Sequence, residues 1–194
     1  MIASPARRAQ EPSSFRVNPS MLGLWVFITT EALFFGMLMA SYLYLRVRAG
    51  VWPPPGTPPR DLMVPIFNTA VLLSSGLTMH GAHLSMRQGN TAVLRGGILA
   101  TIVLGAAFLG GQAYEYTHAG FGLGSGLLGS TFFTLTGFHG AHVFAGLVFL
   151  SLVWVRAGKG YYTGKQHVGV EASALYWHFV DAVWVVLFTI LYLI

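Results

Sequence analysis

No cysteine occurs in this sequence, and charged residues make up only 9% of it. The first absence excludes a disulfide, a thiolate iron–sulfur cluster and a thiolate copper site, and it leaves the compartment unreadable from redox chemistry. The second excludes a fully water-facing surface, since soluble domains carry about 25% charge. With 54% of 194 residues hydrophobic, the chain reads as an integral membrane protein. Acids are scarcer still, six in all. Glu11 lies in a polar N-terminal segment and Asp61 in a loop, whereas Glu31, Glu115, Glu171 and Asp181 lie within or at the ends of apolar runs. The net charge of +5 does not point to nucleic acid, because the eleven Lys and Arg residues stand outside those runs, as membrane orientation signals do.

Five apolar runs predict an all-α membrane protein, a bundle of five transmembrane helices over about 21–45, 64–84, 96–116, 131–155 and 172–194. A polar tail, residues 1–20, precedes them and has none of the marks of a signal peptide. The five-helix region, 21–194, forms one domain. Between the first two runs, the five prolines and two glycines of RVRAGVWPPPGTPPRDLM forbid a helix, and Trp52 is suited to an interface. Lys and Arg are biased eight to three toward the side of the N-terminal tail, which predicts the N-terminus inside and the C-terminus outside. Asn68, Ser74, Ser75, Thr78, His80 and His83 make the second run too polar for a wholly lipid-facing helix. Small residues at four-residue spacing, Gly97, Thr101 and Gly105 in the third run and Gly137, Ala141 and Ala145 in the fourth, predict a close helix seam on each.

The candidate functional residues are the buried ionisable ones. Glu31 falls near the bilayer midplane, where it must be neutral, paired or hydrated. Thr29, Thr30 and Ser41 are candidate hydrogen-bonding neighbours, and the alternative is a functional carboxylate. In YWHFVDAVW, residues Trp177, Asp181 and Trp184 share a helical face, with His178 three residues before Asp181. A structural contact between His178 and Asp181 is favoured over a proton relay. His139 and His142, at i and i+3, could hold a metal or bracket a haem, but their expected place toward the outer side separates them from His80, His83 and His178 toward the inner side. No metal site is therefore predicted, and the recurrence of HGAH reads as accidental. Glu115 and Glu171 sit near interfaces, where a carboxylate costs little, and Glu171 opens a helix, where negative charge is favoured.

The stretches WVFITTEALFFGMLMASYLYLR, VWPPPG, PIFNTAVLLSSG, GGQAYEY, GSTFFTLTGFHGAHVFAG and GVEASALYWHFVDAVWVVLFTILYLI together resemble subunit III of the haem-copper terminal oxidases, in order from Leu24 onward. The length resembles the short five-helix bacterial form rather than the seven-helix mitochondrial one. The resemblance implies a core subunit without its own redox centre, in the bacterial inner membrane, within a complex that oxidises cytochrome c, reduces oxygen to water and pumps protons. Haem and copper would sit in subunits I and II. It also implies structural phospholipid in a cleft, with Arg156 and Lys159 at positions that meet lipid phosphate and Glu31 as the matched carboxylate, in a subunit that supports proton uptake, oxygen access and the stability of subunit I. The subunit of a quinol oxidase, or one associated with a nitric oxide reductase, is an alternative. A proton-coupled transporter is the rival from another class, but no inverted repeat or pair of broken helices supports it.

Overall fold

The computed structural model describes residues 19–57, 62–162 and 168–194. Expectations for residues 1–18, Arg60, Asp61 and Lys165 lie outside the described residues. The described chain forms five helices: α1 (Pro19–Arg48), α2 (Met63–Arg87), α3 (Thr91–His118), α4 (Gly126–Gly158) and α5 (Val168–Phe188), the last continued by a π-helical segment, Thr189–Leu193. No strand occurs among the described residues.

Local chemistry accounts for the boundaries. The α2–α3 connection is three residues long, with Gly89 at φ +72°, a region that glycine enters without a Cβ clash. Asn90 then caps α3, its side-chain oxygen accepting from the Val93 N–H at 3.1 Å. Glu171 lies in the first turn of α5, where the exposed N–H groups favour a negative charge.

Four helices, α1, α3, α4 and α5 with its extension, are long and apolar enough to cross a membrane. The expectation of five is met only to that extent. Helix α2 has 25 residues, enough length, but a larger share of them is polar than in the other four helices. Its buried face uses several of them: Asn68 Nδ2 donates to the Phe108 carbonyl at 2.9 Å, and Thr78 and Thr101 share a hydrogen bond of 2.8 Å. Ser74 and His80 face outward.

Helices α2 and α3 form the most extensive seam, α4 and α5 complete the core, and α1 packs chiefly on α5 and α4. Trp177 sits at the centre with no exposed surface. A Cβ at Gly105 would come within 2.6 Å of its ring, and one at Gly146 within 3.0 Å, so two glycine backbones form the walls of the indole slot. Its Nε1–H donates to Ser75 Oγ at 2.9 Å, which ties α5 to α2.

Within the chain, the small-residue strip forms a seam on α3 and none on α4. On α3, Gly97 meets Ala82, Thr101 meets Thr78 and Gly105 meets Trp177. On α4, Ala141 and Ala145 are exposed, and the close approaches are made instead by Gly140, against Gln112, and Gly146, against Trp177. Gly140 and Gly146 are six residues apart and face different helices, α3 and α5, so no single four-residue strip marks them, and the neighbours that pick them out are remote in sequence.

Candidate functional site: two carboxylates on apolar helices

The first carboxylate bridges two helices. Glu31, in mid α1, places Oε2 2.9 Å from Nε2 of His142 on α4. The other ring nitrogen, Nδ1, lies 2.7 Å from the carbonyl oxygen of Phe138. A carbonyl can only accept, so Nδ1 carries a proton. Two arrangements remain for Nε2. It accepts from a neutral Glu31 carboxyl, or an imidazolium donates from both nitrogens to the carbonyl and the carboxylate. The two arrangements differ in the position of one proton and have the same net charge, which suits an apolar setting where separated charge is costly.

The surroundings hold the pair in place. Phe35 meets the His142 ring edge-on at 4.9 Å between centroids, Phe34 stacks at 6.4 Å, and Tyr176 Oη donates to the His142 carbonyl at 3.1 Å. The side chains of His142 and Glu31 are 18% and 21% exposed, so the bond lies near the outer edge of the bundle. Two of the three candidate neighbours on α1 are occupied otherwise: Thr29 Oγ1 donates to the Trp25 carbonyl and Thr30 Oγ1 to that of Phe27. The expected depth of His142 also changes. It stands at the midpoint of a 33-residue helix, level with Glu31, rather than toward one side.

One turn earlier on α4, His139 is wholly buried, and neither of its ring nitrogens has a hydrogen-bond partner among the described residues. Its ring is enclosed by Trp184 at 4.9 Å, Phe108 at 5.8 Å and Phe35 at 6.5 Å between centroids. Aromatic faces are weak acceptors for a ring N–H. Trp184 is fixed in turn by its Nε1–H, which donates to Thr69 Oγ1 at 2.9 Å.

The second carboxylate, Asp181, lies in the α2–α5 seam. Its Oδ2 is 3.8 Å from His178 Nδ1, close enough for an ion pair but longer than a hydrogen bond. The i, i+3 contact read from sequence is present in that loose form. A Cβ on Gly76 would fall within 2.4 Å of Oδ2, so the carboxyl occupies a recess that only glycine leaves open. Its Oδ1 is buried without a hydrogen-bond partner among the described residues. Gly76, which receives Asp181, was not singled out from sequence, although the run SSG between apolar residues was an available signal; Ser75, which receives Trp177, was read only as one of the polar residues of the second run.

The basic pair ends α4. Arg156 and Lys159 line a cavity of about 730 Å³ with Leu152, Val155, Tyr161, Tyr162, Val168 and Gly169. Nearby, the Arg95 guanidinium lies 5.0 Å over the Trp154 ring. Glu115, at the other end of the bundle, accepts from Tyr192 Oη at 2.7 Å and so anchors the C-terminal segment. Among the described residues, no three His or acidic side chains are grouped closely enough to hold a metal ion.

Comparison with known proteins matches the sequence to one family. The family model for cytochrome c oxidase subunit III matches residues 13–194. Cytochrome c oxidase subunit 3 of Thermostichus vulcanus is 42% identical over 187 residues, covering 96% of this chain and 90% of that protein. That of Synechocystis is 43% identical over 175 residues, covering 90% and 75%. That of Rattus norvegicus is 44% identical over 176 residues, covering 88% of this chain and 67% of the rat protein. The chain is thus a membrane-spanning haem-copper oxidase subunit and belongs to the cytochrome c oxidase subunit III family.

Proposed function

We propose that the chain is the non-catalytic third subunit of a proton-pumping cytochrome c oxidase, set against subunits I and II, with haem and copper held by those partners. The helices cross a bacterial inner membrane five times, N-terminus inside and C-terminus outside, with α2 shielded from lipid by protein on at least part of its surface. The observation that carries the reading is the Glu31–His142 bond, an ionisable pair at the middle of two apolar helices. Such pairs are expensive in a membrane and mark function more often than packing. Because the two arrangements of its proton have equal net charge, the pair steadies the α1–α4 contact and serves proton uptake by the complex. The subunit also supports oxygen access and the stability of subunit I.

Phospholipid is the second element of the reading. Arg156 and Lys159 face an open cavity beside apolar and tyrosine side chains, an arrangement that receives a lipid phosphate and leaves its acyl chains against Leu152 and Val155.

Glu31→Gln in the assembled complex tests the first part. A carboxamide N–H can donate to His142 Nε2, so packing survives while the mobile proton is lost. Slower proton uptake or a shorter catalytic lifetime is expected at unchanged assembly, and parental values for turnover, pumping and lifetime would remove any role beyond packing. Arg156→Ala with Lys159→Ala should lower the phospholipid retained by the purified complex, and equal lipid content would contradict the lipid assignment. Assaying that complex with reduced cytochrome c and with a quinol identifies the donor.

A further inference from the structure

The outward side of the α2–α5 seam carries two imidazoles. His80 is exposed, the His178 side chain is 42% exposed, and the ring centroids are 6.2 Å apart. Behind them lies Asp181, its Oδ1 without a hydrogen-bond partner among the described residues. Counting about 1.5 Å per residue, His80 stands roughly 10 Å from the end of α2, and His178 roughly 15 Å from the start of α5. Both helices exceed a hydrocarbon thickness of about 30 Å by only a few ångströms at each end, so both rings fall inside the apolar layer rather than at its edge. The rest of this face is greasy: Leu73, Leu77, Leu84, Val185 and Val186 are all exposed.

Ser74, also exposed on α2, needs nothing from outside, because its hydroxyl donates to the Ala70 carbonyl at 2.7 Å. An imidazole always has a ring N–H, and in its neutral form a second nitrogen that accepts. Lipid tails can meet neither requirement, whereas a side chain on an adjoining helix can. We propose that the His80–His178 face is an intersubunit contact, covered by a transmembrane helix of a haem-bearing partner subunit that presents a hydroxyl, carboxamide or carboxyl group to the two rings. The contact is distinct from the Glu31–His142 pair, which involves α1 and α4. It rests on the reading of this chain as one subunit of an oxidase complex.

The test uses the whole complex, purified through a tag on this chain. A photo-reactive benzoylphenylalanine placed at His80 should cross-link to a haem-bearing subunit. Adducts with lipid alone, or with a second copy of this chain, in a preparation that still contains haem would overturn the contact. His80→Leu with His178→Leu should reduce the haem retained after a detergent wash by about threefold or more, while His80→Asn with His178→Gln, which keep hydrogen-bonding groups, should retain it. Equal retention in the leucine pair and the parent would also overturn it. A parent preparation that carries no haem would remove the oxidase reading itself, and the contact with it.

Discussion

Glu31 and His142, 111 residues apart in sequence, meet with Oε2 2.9 Å from Nε2 at the middle of their helices. The contact joins α1, which has few other inward-facing polar groups, to the core helix α4. Its consequence for mutation is asymmetric, because the two sides of the bond can be satisfied by different chemistry.

Glu31→Gln is expected to be mild for stability, since the carboxamide can donate to Nε2. Glu31→Leu leaves His142 Nε2 without a partner and should destabilise by about 1–3 kcal/mol. In a double-mutant cycle, His142→Leu added to Glu31→Leu should cost less than the sum of the two single changes. Thermal unfolding of the purified complex supplies all four values, and strict additivity would show that the bond carries no coupling.

Trp177 is held between Gly105 and Gly146. Gly105→Ala would drive a Cβ to 2.6 Å from the indole, and overpacking of this kind costs about 1–3 kcal/mol. Trp177→Phe loses the bond to Ser75 and leaves space, so it is destabilising alone but should partly relieve Gly105→Ala. Combined variants more stable than Gly105→Ala alone would establish the slot, and lower stability in the pair would contradict it.

Gly76 and Gly110 are both helical glycines, yet they should respond in opposite ways. An added Cβ at Gly76 collides with the Asp181 carboxyl, whereas one at Gly110 meets nothing within 4 Å. Gly76→Ala should therefore lower the yield of assembled complex, and Gly110→Ala should leave it at the parental level. Haem content per tagged chain is the readout, and equal yields would show that Asp181 moves aside without consequence.

Arg46 donates to the Ile190 carbonyl at 3.4 Å and also to that of Ile194. Its loss frees carbonyls at the end of the π-helical segment, where the backbone has no further helical partners. Arg46→Gln should speed amide hydrogen exchange over residues 190–194 and leave the centre of α5 unchanged. Exchange equal to the parent at those amides would show that the Tyr192–Glu115 bond suffices to anchor the segment.

Sequence patterning went far toward the architecture. Apolar runs located the helices, polar composition set α2 apart, and the Gly97, Thr101 and Gly105 strip identified a real seam on α3. The same reasoning did not find the α4 glycines that pack inside the chain, Gly140 and Gly146, and offered Thr29, Thr30 or Ser41 as neighbours of Glu31, although the two threonine hydroxyls bond within their own helix. Periodicity ranks the faces of one helix but does not give its rotation or its height against another.

What the sequence determined by itself is chemical: a membrane-embedded chain without thiolates, few acids among apolar helices, and the order of motifs shared with its family. Tertiary structure decided the pairings. It brought Glu31 level with His142, seated Trp177 between two glycines, and left His80 and His178 on an outer face while enclosing His139. Each of these depends on how separate helices turn and slide against one another, and that is set by side-chain fit summed over the whole bundle rather than by any local stretch.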